Sequence, residues 1–323
     1  MGLFEELKEK IEGKGRSIVF PEGEDKRILG ACSRLKKEGI VKPIILGDED
    51  KINEIAKNEG IDLGGIDIIN PDSYDEFDYM VDAFVERRKG KATEDEAKIL
   101  LKDNNYFGTM LVYLGKADGM VSGAVGSTGN TVRPALQIIK TVPGVSRISG
   151  AMVMISPDSK RYIFSDIAIN IRLEPQQLAE MAVETAKTAK LFGIDPKIAM
   201  LSFSTKGSAS SPEQEAVEQA TKLAQEMAPD LEIDGELQFD AAFVPEVGKK
   251  KAPDSKVAGQ ANVFIFPDLQ SGNIGYKIAQ RFGNFEAIGP ILQGLNAPIS
   301  DLSRGCSEDD VYKLAIITAT QSL

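Results

Sequence analysis

Residues 17–47 read SIVFPEGEDKRILGACSRLKKEGIVKPIILG. Ser17-Ile18-Val19-Phe20-Pro21 has the composition of a buried strand, Glu24 to Glu38 that of a helix, and Lys42-Pro43-Ile44-Ile45-Leu46-Gly47 that of a second strand. This is a β-α-β unit of the expected length, and it predicts a parallel sheet in an α/β protein.

Outward from that unit the alternation continues. Asp48 to Glu59 reads as a helix, Ile66-Asp67-Ile68-Ile69-Asn70 as a third strand, and Ser73 to Lys89 as a further helix. Thr93 and Glu96 have capping-box spacing ahead of a helix expected to reach Gly108 or beyond. Ala117 to Ala124 reads as a strand ending in Gly126-Ser127-Thr128-Gly129-Asn130-Thr131, after which Val132-Arg133-Pro134 opens another helix. Small residues there let backbone donors approach an anion, which makes Ser127, Thr128, Asn130 and Thr131 binding candidates with Arg133 beside them. The glycines fit neither the G-x-G-x-x-G fingerprint nor the Walker A pattern, and a plain strand-to-helix turn explains most such loops.

From about Val145 the character changes. Ile148 to Ile155 and Arg161 to Ile169, joined by Ser156-Pro157-Asp158-Ser159-Lys160, suggest a hairpin and the start of a second domain. Glu174 to Leu191, Ile198 to Ser204 and Pro212 to Met227 resume the alternation, with Ser210 and Ser211 placed to cap the last helix. Val263 to Phe266 reads as a strand, Ser271 to Arg281 as a helix and Ala287 to Leu295 as an extended piece. The terminal helix is expected to pack back on the first domain, giving a discontinuous domain of residues 1–143 plus 297–323 and a second of residues 144–296. Lys249-Lys250-Lys251 reads as a solvated loop, with cation recruitment near an anionic substrate as the sharper alternative.

Composition narrows the chemistry. A chain of 323 residues exceeds one typical core and fits two domains, and 42% apolar with 27% charged residues is ordinary for a globular enzyme. No apolar run approaches the roughly 18 residues that suggest a membrane span. The start, Met1-Gly2-Leu3-Phe4-Glu5-Glu6-Leu7-Lys8, is amphipathic and unlike a signal peptide, so a cytoplasmic location is expected. Two cysteines, Cys32 and Cys306, cannot build a disulfide framework or a Cys-based zinc site. The absence of histidine excludes Ser-His-Asp and Cys-His catalysis and leaves proton transfer to a carboxylate, lysine, tyrosine, cysteine, substrate group or water. A net charge of −11 argues against non-specific nucleic-acid binding.

Near the C-terminus, Ile299-Ser300-Asp301-Leu302-Ser303-Arg304-Gly305-Cys306-Ser307-Glu308-Asp309-Asp310 runs through a turn into a helix with apolar spacing at Val311, Leu314, Ala315, Thr318 and Ala319. A helix N-terminus with Arg304 beside it suits an anion. Ser307 and Asp310 also have capping-box spacing, and such caps are commoner than catalytic acids. Arg304 has an equally plain reading as a surface arginine.

Together with Gly235-Glu236-Leu237-Gln238-Phe239-Asp240-Ala241-Ala242, Val263-Phe264-Ile265-Phe266-Pro267-Asp268-Leu269 and Gly272-Asn273-Ile274-Gly275-Tyr276-Lys277, this segment closely resembles the phosphate acetyltransferase, or phosphotransacetylase, family. The motifs occur in the family's order and the similarity covers essentially the whole chain. The resemblance implies two α/β domains around a cleft, similar in fold to isocitrate and isopropylmalate dehydrogenases, and a homodimer. It implies reversible acetyl transfer between coenzyme A and phosphate, with acetyl-CoA and acetyl phosphate as the acyl carriers. Coenzyme A is then a substrate, and no cofactor or metal is expected for the chemical step.

Carried over by position, the family pattern falls on Ser303, Arg304, Gly305 and Cys306, and its following acid on Asp310. In the direct scheme implied, Asp310 takes the thiol proton of coenzyme A, Ser303 hydrogen-bonds the reacting group and Arg304 holds phosphate. Arg133 matches a second family arginine. Arg88 is the choice for a third, although Glu86-Arg87-Arg88-Lys89-Gly90-Lys91 departs from the usual pattern and leaves Arg87 open. Cys306 admits a rival scheme as a nucleophile, but without histidine it reads better as a packing or CoA-proximal residue. The competing functions are a phosphate butyryltransferase and, from another class, a nicotinamide-dependent decarboxylating dehydrogenase. A non-catalytic binding protein is the third.

Overall fold

The computed structural model describes residues 2–323. The protein is α/β and divides into two compact units, one formed by the chain up to Lys140 together with Leu295–Leu323, the other by Thr141–Gly294. Both changeovers fall a few residues earlier than the sequence suggested.

The first unit opens with α1 (Leu3–Ile11), β1 (Ser17–Phe20), α2 (Lys26–Glu38), β2 (Lys42–Leu46), α3 (Glu49–Glu59) and β3 (Asp67–Ile69). It continues with α4 (Phe77–Arg88), α5 (Glu94–Leu100), α6 (Asn104–Tyr113), β4 (Gly119–Ser122) and α7 (Thr128–Ile138). Asp25 caps α2 by accepting from the Arg27 amide, and Gly39 ends it at φ +69°, a conformation that favours glycine.

In the second unit a hairpin, β5 (Ser149–Ile155) and β6 (Arg161–Ser165), precedes α8 (Pro175–Leu191), β7 (Lys197–Leu201), α9 (Pro212–Met227) and β8 (Glu232–Leu237). Short helices α10 (Phe239–Phe243) and α11 (Pro245–Lys251) lead to β9 (Val263–Ile265), α12 (Leu269–Phe282) and β10 (Glu286–Gln293). The chain then returns to the first unit with β11 (Ile299–Asp301) and α13 (Glu308–Gln321).

The first sheet is wholly parallel in the order β11-β4-β1-β2-β3. The chain steps outward from β1 to β3 and then crosses to β4 on the other side of β1. That reversal makes a topological switch point between β1 and β4, where the loops leaving adjacent strands diverge and α/β proteins bind ligands. Val19, Leu46, Phe84, Phe107, Met120 and Ile299 are in the apolar core that fixes the strand ends. On α13, Val311 and Ala315 are fully buried, and a hydroxyl contact of 2.7 Å joins Thr318 to Ser300 on β11.

The second sheet is mixed, order β10-β5-β6-β9-β7-β8, with antiparallel pairing at β10-β5-β6 and parallel pairing beyond. Its core includes an aromatic cluster in which Phe164 contacts both Phe264 and Phe266. Lys249, Lys250 and Lys251 occupy the last turn of α11, exposed, where the helix dipole favours cations, and Lys251 pairs with Asp240 at 2.9 Å.

Several sequence expectations shift. The Thr93–Glu96 capping box forms, but the helix it starts ends at Leu100 because Asp103 caps a new one, accepting from the Asn105 and Tyr106 amides. The helix expected from Ser73 begins at Phe77, after a single tight turn at Pro71–Ser73. The helix expected to open at Val132 begins at Thr128, so Arg133 lies beyond its first turn and Pro134 is interior, leaving the Asn130 carbonyl without its helical donor. Among the described residues no helix is long and apolar enough to cross a membrane.

Candidate active site

Three loops leave the carboxyl end of the first sheet beside one another: Pro21–Asp25 after β1, Gly123–Ser127 after β4, and Leu302–Ser307 after β11. Their ends are locked together by polar groups. The Leu302 amide donates to the Ser122 carbonyl at 2.6 Å. Glu22 accepts four successive amides, Gly123 (3.0 Å) and Ala124 (2.7 Å) on Oε2, and Val125 (3.0 Å) and Gly126 (2.8 Å) on Oε1. Arg27 donates to the carbonyls of Arg304 and Cys306 at 2.9 Å each and to that of Ala124 at 2.8 Å, while Asp25 holds its other edge. Charge-assisted hydrogen bonds of this kind, roughly twice as strong as neutral ones, tie the three loop ends together.

The Gly126 amide, at the start of the loop that the sequence offered to an anion, is thus taken by an internal carboxylate, as are the amides of Gly123, Ala124 and Val125 before it. The first turn of α7 remains open. Ser127, Thr128, Gly129 and Asn130 are exposed, and Ser127 bonds Asn130 Oδ1 at 3.0 Å instead of capping the helix amides. Thr128 gives its hydroxyl to Asp301 at 2.7 Å, and Thr131 is fully buried.

Ser303, Arg304 and Gly305 form an exposed turn, closed by the Cys306 amide donating to the Ser303 carbonyl at 2.9 Å. Arg304 is anchored through its backbone, and among the described residues its guanidinium makes no hydrogen bond or ion pair. Asp310 does form the capping box: its Oδ2 accepts from the Ser307 amide and hydroxyl, both at 2.8 Å, and its own amide donates to Ser307 Oγ at 3.2 Å. Only one carboxylate oxygen is used. Asp310 is exposed, and Oδ1 has no protein partner among the described residues. Capping and proton transfer are therefore compatible on this side chain. Asp309, by contrast, is paired with Arg34 and Lys313, each at 3.0 Å.

Cys306 is only 8% exposed, with its Sγ 3.7 Å from Arg27 Nη1. Burial pushes its thiol up; Arg27 opposes this, and Asp310, Asp25 and Glu22 add to it. A thiol held in its protonated form is a poor nucleophile.

The arginines separate by what they touch. Arg87 donates to the Ile138 and Ile139 carbonyls at 2.5 and 2.9 Å and lies over the Tyr113 ring, 4.8 Å from its centroid. It terminates α7. Arg88 makes one long bond, 3.5 Å to the Gln137 carbonyl. Arg88 and Arg133 both approach Tyr106, where their charges oppose the upward push of burial on its phenol. Arg88 and Arg133 thus both act on the Tyr106 phenol, whereas Arg87 is committed to the carbonyls at the end of α7. Among the described residues no group of three or more cysteine or acidic side chains is assembled as metal ligands.

Residues 2–319 match the family model described as phosphate acetyl/butaryl transferase. The chain belongs to that family. It is 60% identical over 321 residues to a phosphate acetyltransferase of Bacillus subtilis, 99% of each chain being covered. Among solved structures, a phosphotransacetylase from Streptococcus pyogenes is 62% identical with a TM-score of 0.97, over 99% of this chain and 98% of that one. The EutD phosphotransacetylase from Staphylococcus aureus is 58% identical with a TM-score of 0.95 and the same coverage.

In this member of the phosphate acetyl/butaryl transferase family, Glu22, Arg27, Tyr106 and Asp301 were not legible from the sequence as candidate site residues. Glu22 and Asp301 do share one signal, a carboxylate just beyond or at the end of a strand of a parallel sheet. Arg27 had none, since a basic residue in the first turn of a helix is unremarkable until the distant carbonyls it reaches are known.

Proposed function

We propose that this chain catalyses reversible acetyl transfer between coenzyme A and inorganic phosphate, acetyl-CoA plus phosphate giving acetyl phosphate plus coenzyme A. The observation that carries the reading is an exposed turn presenting Ser303 and an unpaired Arg304 guanidinium, beside a carboxylate with one free oxygen at the start of α13. Chemistry at this turn has an acceptor for a proton and a fixed charge for phosphate, with no histidine required.

In the direction of acetyl-CoA synthesis, Asp310 accepts the proton of the coenzyme A thiol as sulfur attacks the carbonyl carbon of acetyl phosphate. The carbon–oxygen bond to phosphate then breaks, and Arg304 stabilises the departing dianion while Ser303 donates to the reacting oxygen. Ordinary carboxyl and thiol groups differ by about 4.6 pKa units, roughly 6 kcal/mol. Full deprotonation before attack is therefore unfavourable, and the proton moves as the carbon–sulfur bond forms. Arg88 and Arg133 supply positive charge for the phosphates of the substrates, with Ser127, Thr128 and Asn130 at the open first turn of α7.

A homodimer, a cytoplasmic location and fold kinship with isocitrate and isopropylmalate dehydrogenases go with this reading. The exposed aromatic surface of Phe239, Phe243 and Phe282 on the second unit supports self-association. Acetyl is preferred to butyryl as the acyl group because the relatives at 60% identity are named for acetyl transfer.

The test is to incubate the purified protein with acetyl-CoA and phosphate and follow free thiol together with acetyl phosphate trapped as its hydroxamate. Stoichiometric appearance of both is expected. Thiol release independent of phosphate would sink the reading, and a higher kcat/KM for butyryl-CoA would move it to the longer acyl chain.

A further inference from the structure

Asp301 is the last residue of β11, two positions before Ser303, and only 4% exposed. Its Oδ2 accepts from the Thr128 hydroxyl at 2.7 Å, which ties it to the first residue of the helix that carries Arg133. Its Oδ1 is sealed from solvent without a hydrogen bond of normal geometry, and so is the hydroxyl of Thr131 on the same helix turn. The carboxyl also faces the loop backbone closely. A Cβ at Gly123, where φ is +106°, would lie 2.6 Å from Asp301 Oδ1.

A buried carboxyl with an unused oxygen costs the fold free energy. Burial raises this carboxyl, Glu22 adds to the effect, and Thr128 and Thr131 oppose it. The side chain nevertheless sits where β11 and β4 end in register, Asp301 opposite Ser122, with one site loop following each strand. It is a direct side-chain link from the end of β11 to the first residue of α7.

We infer that Asp301 is a positioning residue for the transfer reaction: by holding Thr128 it sets the start of α7, and with it Arg133, relative to the Ser303–Arg304 turn. The inference rests on the acetyl-transfer reading above. A displacement of about 1 Å between substrate-binding groups is enough to lower turnover on the order of 100-fold.

Asp301→Leu keeps the heavy-atom branching and removes the acceptor, Asp301→Asn keeps an acceptor for Thr128, and Thr128→Val removes the donor. The expected result is that Asp301→Leu and Thr128→Val each lower kcat/KM, per folded molecule, by at least about tenfold, with a lower melting temperature in Thr128→Val, which strips the buried carboxyl of its hydrogen bond. Asp301→Asn restores most of the loss. The double variant Asp301→Leu, Thr128→Val is no worse than the poorer single one, because both break one link. Thr128→Val leaves the carboxyl in place and carries the test if Asp301→Leu does not fold. Parent kinetics in Thr128→Val, additive losses in the double variant, or losses matching only the unfolded fraction overturn the inference. A parent protein without phosphate-dependent thiol release would instead overturn the acetyl-transfer reading itself.

Discussion

Arg27 donates to the carbonyl oxygen of Cys306 at 2.9 Å while the Cys306 sulfur lies 3.7 Å from the same guanidinium nitrogen. The bond that matters is to the backbone. It shapes the turn carrying Ser303 and Arg304, and it does not need a thiol. Burial raises the thiol and three nearby carboxylates reinforce that. Cys306→Ala is therefore expected to retain kcat within a few-fold, with initial-rate patterns of a ternary complex and no isotope exchange between acetyl phosphate and phosphate in the absence of coenzyme A. Loss of turnover in a folded Cys306→Ala protein would replace direct attack with an acyl-enzyme scheme.

Asp310→Asn separates the two duties of this side chain. An amide oxygen can still accept from Ser307, so the α13 cap survives in large part, whereas the proton acceptor is gone. The expected outcome is a fall in kcat of about 100-fold or more with small changes in KM. Thermal unfolding should move little. Asp310→Ala should add a stability loss of roughly 0.5–2 kcal/mol from the broken cap. A melting shift with unchanged kcat in both variants would leave Asp310 as a cap alone.

Local signals were legible where one segment supplied its own explanation. The β-α-β reading of residues 17–47 is realised as β1, α2 and β2, and the Ser307–Asp310 and Thr93–Glu96 boxes form as spaced. Misreadings arose where a short polar side chain cut in, as Asp103 does between α5 and α6, or where polar residues hid a strand, as in Glu232–Leu237. The site was half visible for a different reason. Ser303, Arg304 and Asp310 lie within one short segment of the chain, but Glu22 and Arg27 act on backbone groups about 100 to 280 positions away. No periodicity encodes such a contact. Only the parallel sheet, by ending β1, β4 and β11 side by side, brings them together.

Adjacent arginines on α4 should respond to substitution in opposite ways. Arg87 closes the carbonyls of Ile138 and Ile139, so Arg87→Ala leaves acceptors unpaired and is expected to cost about 1–3 kcal/mol of stability. Its kinetic constants should stay close to those of the parent. Arg88→Ala loses only a 3.5 Å contact with the protein but takes positive charge from beside Arg133 and Tyr106. It should melt near the parent temperature and show a several-fold higher KM for an anionic substrate. The opposite pattern would make Arg87 the substrate-facing residue.

Asp118 couples stability to pH. Burial alone would raise its carboxyl, but the Ser17 amide, the Arg16 guanidinium and the Ser17 hydroxyl together hold it below the ordinary range. The Ser17 amide and Arg16 Nη1 are each 2.7 Å away, and the group stitches the start of β1 to the start of β4. A carboxyl depressed in the folded state stabilises above its unfolded pKa, near 3.9, and that contribution disappears as pH falls through the lower folded value. Asp118→Asn should therefore be less stable than the parent by roughly 1–3 kcal/mol near pH 7. The gap should close progressively below about pH 4, where the parent loses its own charge. Denaturant melts of both proteins from pH 7 down to pH 3 read this directly, and a gap that stays constant over that range would show that Asp118 acts by shape and hydrogen bonding without its charge.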